Sequence, residues 1–220
     1  MSDRGHAART HPPEGAAALV QGDALDAARV EALLDLVPPR DRETRPASLA
    51  RAERQRRRWA TQVVVADELA RRACAERGLK PPEAVGPPRL LAVAEEDVAG
   101  LGSIVAAVLA HSPAARTLLS ALEDGQDVPA SAMRDYYDRN RDRFLTREAL
   151  RRGVDPFGDA APTDFLPYPY VREGIGHELR LAAGRRAFFA WLDGARAGVV
   201  YAVGHEHPGD PAHPDHEHRH

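Results

Sequence analysis

Apolar positions change their period several times along the chain, and each change marks an element. Residues 18–20 (Ala-Leu-Val) form a short continuous apolar run stopped by Gly22-Asp23, which predicts a brief strand and a turn. Leu25, Ala28, Val30, Leu33 and Leu34 then recur near every 3.6 residues, predicting a short helix over 25–36 that stops before Pro38-Pro39. Ser48 suits the N-cap of a long helix over 49–77. Its apolar stripe is Leu49, Ala52, Trp59, Val63, Ala66, Leu69, Ala70 and Ala73, and Gly78 is its stop. Arg51, Arg54, Arg57, Arg58, Arg71 and Arg72 fall off the stripe and read as a solvated face.

Residues 79–92 form a Pro-rich connector. The next segment, 94–109, is more evenly apolar and predicts a buried helix, opened by Glu95, Glu96 and Asp97 and loosened by Gly100 and Gly102. Another helix is expected over 112–122, with Pro113 at its first position. Over 132–144, Met133, Tyr136, Tyr137 and Phe144 sit at helical spacing. Turn residues and prolines dominate 145–170, which reads as an irregular loop. A strong helix follows over 171–197 on Ile175, Leu179, Phe188, Trp191 and Leu192, and then a β-branched strand over 199–203 stopped by Gly204. The expected fold is mainly α: one helical domain over 18–203, closed by pairing 18–21 with 199–203 in a small two-stranded element. Residues 1–17 and the His-rich tail, 204–220, are expected to be disordered.

Composition removes several classes of function. The 220 residues carry 30 basic and 33 acidic side chains, a net charge of −3, which argues against coating nucleic acid or an anionic membrane. All the basic residues but Lys80 are Arg, in a chain rich in Ala, Gly and Pro, so the arginines follow composition rather than phosphate recognition. A single cysteine, Cys74, leaves no internal disulfide and no Cys-rich zinc site, and reads as a small buried side chain. No apolar run approaches the roughly 18–20 residues of a membrane span. Residues 1–18 hold no signal-like stretch, so the cytoplasm is the expected compartment. G-x-S-x-G, G-x-x-x-x-G-K-[ST], G-x-G-x-x-G and H-E-x-x-H do not occur.

The candidate chemistry lies in the tail. Six of the ten histidines are His205, His207, His213, His216, His218 and His220. In an extended chain His-x-His places two imidazoles on one side, where they can share Zn²⁺, Ni²⁺ or Cu²⁺. Asp210, Asp215 and Glu217 offer oxygens. The plain alternative is a solvated low-complexity terminus. His111 and His177 read as ordinary core or surface histidines. Tyr136, Tyr137, Phe165, Tyr168, Tyr170, Phe188 and Trp191 group around 145–170, either as core or as an apolar cleft for a client peptide.

Four segments in this order resemble the chaperone part of the SurA/PrsA-like parvulin-type foldases. They are Val20-Gln21-Gly22-Asp23-Ala24-Leu25, the helix end from Asp67 to Leu79, Val128 to Phe144 with its Tyr136-Tyr137…Asn140…Phe144 pattern, and Ile175-Gly176-His177-Glu178-Leu179 with Arg185 to Leu192. The resemblance covers about 18–203. It implies a SurA N-terminal-like helical cradle that holds an apolar segment of an unfolded or partner polypeptide. The family's prolyl-isomerase domain is replaced by the interval 145–164, which holds no His or Cys, so isomerase activity is not expected. Such a protein would bind without covalent chemistry, in line with the absence of nucleic-acid and membrane signals, and leaves room for a homodimer. Its tail would assist a metalloprotein client. Two alternatives stand beside this: a metal-dependent enzyme (Zn, Ni, Cu or Fe) whose tail completes a site with His177 or Glu178, and a subunit that uses the same face for one fixed partner.

Overall fold

The computed structural model describes residues 11–37, 46–82, 98–99 and 101–206, the side chains of 46–48 excepted. The sequence readings for 1–10, 38–45, 83–97, 100 and 207–220 fall outside these residues. The chain divides into two compact units, Met1–Leu118 with Ala190–His220, and Leu119–Phe189. No single helix among the described residues is long and apolar enough to cross a membrane.

The larger unit begins with β1 (Ala16–Val20), all five residues of which are buried. A continuous apolar run without alternation is what a strand covered on both faces requires. Ala16 and Ala17, expected in a disordered terminus, belong to this strand. Gln21 and Gly22, at φ of 53° and 88°, make the tight turn to β2 (Asp23–Asp26), with Val20 opposite Asp23. Two positive φ values in a two-residue loop suit the twist of an antiparallel hairpin. β3 (Val200–Tyr201) pairs antiparallel on the other edge of β1, with Ala18 opposite Tyr201 and Leu19 opposite Val200. The sheet order is β2-β1-β3. The expected pairing of the two ends is present, but the element has three strands rather than two. The reason is Asp26, whose carboxylate accepts from Ala28 N at 2.8 Å. That cap starts helix α1 (Ala27–Leu36) at Ala27 and leaves Leu25 in the strand.

Helix α2 (Pro46–Glu76) is the spine of this unit. From Ala60 to Asp67 every residue is buried, Thr61 and Gln62 among them, so the expected solvated face is limited to the flanking turns. Leu49, by contrast, is exposed. β1, α1 and α3 (Ser103–His111) pack on α2. Arg56 Nη2 donates to the carbonyls of Leu34 and Val37, closing the C-terminus of α1. Gly102, at φ 78°, separates α3 from the helical residues before it, so the apolar run expected as one helix over 94–109 is broken there. α4 (Pro113–Asp124) starts with buried Ser112 accepting from Ala115 N at 3.0 Å and Pro113 at its first position.

Charged residues clamp α1 to α2. Arg29 donates to Glu68 Oε2 at 2.7 Å and to the buried carboxylate of Asp67 at 3.2 Å. Arg72 and Arg71 donate to the same two acids from one turn later, at 2.9 and 2.8 Å. Burial of Glu68 pushes its carboxyl upward, but the hydrogen bonds from Arg29 and Arg72 outweigh it and hold the group below the ordinary carboxylate range. A depressed carboxylate stabilises the fold above its unfolded value, and that contribution disappears as pH falls through the folded value. Glu68→Gln is expected to lose about 1 kcal/mol at neutral pH and to show a shallower decline of stability through the acid range. Urea titrations at a series of pH values test this, and parallel curves for the two proteins would refute it.

The smaller unit contains the end of α4, α5 (Ala130–Arg139), a 3-10 turn (Arg141–Phe144), α6 (Arg147–Arg152), a second 3-10 turn (Pro162–Asp164) and α7 (Tyr168–Arg196) up to Phe189. Gly184 of α7 lies against α4. A Cβ there would stand 2.7 Å from Glu123 Cα and 2.3 Å from its Cγ, so the backbones meet only because this residue has no side chain. Gly184→Ala is therefore expected to cost about 1–3 kcal/mol through forced displacement, read as a lower urea midpoint; an unchanged midpoint would exclude the close approach.

Candidate functional site

The interval 145–170, expected to be irregular, is a folded loop closed at its neck. Leu145 and Phe165 form an antiparallel bridge, with Thr146 N donating to Asp164 O at 2.8 Å and Leu166 N to Phe144 O at 2.7 Å. Thr146 caps α6 by accepting from Ala149 N at 3.2 Å, and Gly153, left-handed at φ 68°, ends it. Leu145, Ala149 and Phe165 form a small core of their own, with Val154 and Ala160 packed on it. Asp164 is buried. Its Oδ2 accepts from Ala161 N at 2.9 Å and its Oδ1 from Arg152, so one carboxylate ties the second 3-10 turn to the end of α6. Asp164→Ala leaves these donors unpaired, a loss of about 1–3 kcal/mol. Faster amide exchange at Thr146 and Leu166 is the expected signature, and exchange at the native rate would show that the carboxylate is dispensable.

Beside this loop the aromatic residues group with arginines. Tyr137 stacks tilted on Phe144 at 4.9 Å between ring centres and meets Tyr168 edge-on at 5.5 Å. Tyr136 meets Phe144 edge-on at 6.4 Å. Arg134 lies over both Tyr137 and Tyr168, at 5.7 and 5.0 Å, and Arg143 over Tyr136 at 5.5 Å. The Tyr137 hydroxyl donates to Leu166 O at 2.7 Å, which fixes the ring. The Tyr136 hydroxyl donates to Glu178 Oε1 at 2.8 Å, and Arg143 donates to both that carboxylate and the hydroxyl. The tyrosines are half-buried and the two arginines exposed: a surface of π faces with polar rims, held in place by hydrogen bonds.

The seven aromatic residues picked out by sequence do not form one surface. Tyr136, Tyr137 and Tyr168 come together. Tyr170, two residues on from Tyr168, is 84% exposed. Phe165 is buried in the loop core under Arg141, and Phe188 is buried in α7, so both serve packing rather than contact. Trp191 is half-buried and belongs to the larger unit. Other apolar side chains of the smaller unit are open to water, Phe157 at 64% and Leu166 at 42%. Arg134, Arg143 and Phe144 escaped the sequence reading of the site. The available signal was Tyr136 and Arg143 seven residues apart, which a helix followed by a tight turn brings to one side.

Of the six candidate metal ligands, His205 is described and the other five lie outside the described residues. His205 Nδ1 is 2.8 Å from Thr61 Oγ1 in the middle of α2. Burial, and then the charge of Arg57, push this imidazole down from its ordinary value. His111 is also shifted down by burial, and His177 is exposed. Buried Cys74 donates to Ala114 O at 3.4 Å, and burial raises its thiol. Among the described residues no three His, Cys, Asp or Glu side chains gather as a metal site. No family model, curated protein or solved structure matches the chain.

Proposed function

We propose that the chain is a peptide-binding, chaperone-like protein that holds an apolar client segment on the tyrosine–arginine surface of its smaller unit, in the manner of the non-catalytic part of the SurA/PrsA-like foldases. The observation that carries this reading is the placement of Tyr136, Tyr137 and Tyr168 as half-exposed, hydrogen-bonded rings flanked by Arg134 and Arg143. Tyrosine and arginine anchor binding surfaces well. Both bury much area for little lost freedom when already held in place, and both present polar tips to an extended peptide. Exposed Tyr170, Phe157 and Leu166 add apolar area in the same unit. The antiparallel closure of β1 on β3 supports the family reading, because the resemblance calls for the first and last extended segments to meet. In this reading the folded loop over 145–164 stands where the family carries its isomerase, and the His-rich tail serves a metalloprotein client.

Light scattering from an aggregating unfolded substrate tests the reading. The full chain is expected to suppress scattering near equimolar ratio. Tyr137→Ala and Tyr168→Ala together are expected to weaken client binding by about 1–3 kcal/mol, or roughly 5- to 150-fold in Kd. An inert wild-type protein, or a double variant as effective as wild type while still folded, would refute it.

A further inference from the structure

We propose that the cavity between the C-terminal end of α2 and the start of α4 binds a small apolar molecule that carries a carboxylate, with Arg71 as the group that receives the acid. The site lies wholly in the larger unit, and the inference does not depend on client binding.

The stop signal of α2 builds one side of the cavity. Gly78 takes φ 65°, Leu79 N donates to Cys74 O at 2.8 Å, and Gly78 N donates to Ala75 O at 3.2 Å. This pair of bonds is the Schellman arrangement, which turns the chain out of the helix at a left-handed residue where glycine is unstrained. Pro81, Pro82 and Pro113, with Cys74 and Leu79, then line a cavity of about 430 Å³. Small-molecule sites commonly measure about 300–1,000 Å³.

The lining favours an apolar ligand body. Proline has no N–H, so Pro81, Pro82 and Pro113 offer no backbone donor. The thiol of Cys74 is spent on Ala114 O at 3.4 Å, and burial raises it, so the group stays uncharged. A hydrogen-bond acceptor set against these walls would lose its water partners without replacement.

The charge that lines the cavity is positive. Arg71 Nε donates to Asp67 Oδ2 at 2.8 Å, and Arg29 donates to the same oxygen at 3.2 Å, so two guanidinium groups share one acceptor atom. Nη1 and Nη2 of Arg71 make no bond among the described residues, and the side chain is 56% exposed. Those two nitrogens form the planar fork that matches a carboxylate. Within 71–82, Arg77 and Lys80 are exposed and have no ion pair among the described residues, and the charge of Arg77 bears on Cys74. Glu76, the one acid in this stretch, does not line the cavity. The surplus of cations selects an acid over an amine or an uncharged analogue of the same shape.

Titration of the full chain with octanoate, followed by ¹H–¹⁵N spectra and by calorimetry, tests the site. Shifts are expected at the amides of Cys74, Ala75, Leu79 and Ala114, and octanoate is expected to bind more tightly than octanol or octylammonium. Arg71→Gln is expected to weaken octanoate about tenfold while leaving octanol unchanged, a split that a loss of folding would not produce. Ala75→Phe sends a ring into the cavity from an exposed helix position and is expected to abolish binding of both. Unmoved amides at these four residues, octanol or octylammonium binding as tightly as octanoate, full octanoate affinity in Arg71→Gln, or binding that survives Ala75→Phe would each overturn the proposal.

Discussion

Two facing residue pairs, Ala18 with Tyr201 and Leu19 with Val200, set the arrangement of the larger unit. β1 is buried along its whole length, and a strand in that position needs partners for its backbone on both edges. β2 supplies one edge through a two-residue turn, which costs little chain entropy. β3 supplies the other from the far end of the sequence, which is a closure over most of the chain and adds only slowly with loop length. The short strand is possible because the side chains beyond it continue the attachment: the Tyr201 hydroxyl donates to Gln62 at 3.2 Å, and His205 reaches Thr61. The last described residues are thereby fastened to the most buried turns of α2.

α2 pays for this centrality in polar burial. Thr61, Gln62 and Asp67 lie among Ala60, Val63, Val64 and Val65, where an unpaired polar group is costly. Each is answered by a residue remote in sequence: His205, Tyr201 and Arg29, respectively. The same side chains that make the helix unsuited to a purely apolar core thus select its neighbours and their register. Arg56 does the same for the C-terminus of α1 by donating to the carbonyls of Leu34 and Val37 at its end.

The mainly helical architecture and the meeting of the two ends were legible from periodicity and from β-branched enrichment near residue 200. Boundaries were legible where a cap is written locally, as with Ser112-Pro113. They were not legible where two signals compete. Leu25 continues the helical period of α1, yet Asp26 caps the helix and hands Leu25 to the strand. Gly102 sits in an apolar run that favours helix, and its positive φ breaks it. The loop over 145–164 looked irregular because its order comes from a bridge that joins residues twenty apart, Leu145 and Phe165, and from a buried carboxylate, Asp164, that reaches back to Arg152, neither of which a short local window contains. The candidate site was half legible. Tyr136 and Tyr137 stand out in sequence, but the burial of Phe165 and Phe188 and the arginines over the rings depend on tertiary packing.

That difference between the aromatic residues has a physical meaning for binding. Phe165 and Phe188 carry no polar atom and are spent on cores, where their full area is removed from water. Tyr136, Tyr137 and Tyr168 stay partly in water because their hydroxyls or their arginine neighbours are satisfied at the surface, and the hydrogen bonds from Tyr136 and Tyr137 stop those rings from collapsing inward. A face built this way keeps apolar area available without the aggregation risk of bare phenylalanine. Its arginines lie over the rings, and each is held by a carboxylate, Arg134 by Asp138 at 3.2 Å and Arg143 by Glu178 at 2.7 Å. Selectivity on such a face would come from the spacing of the rings along an extended chain rather than from a deep pocket, which fits segments that share apolar character more than sequence.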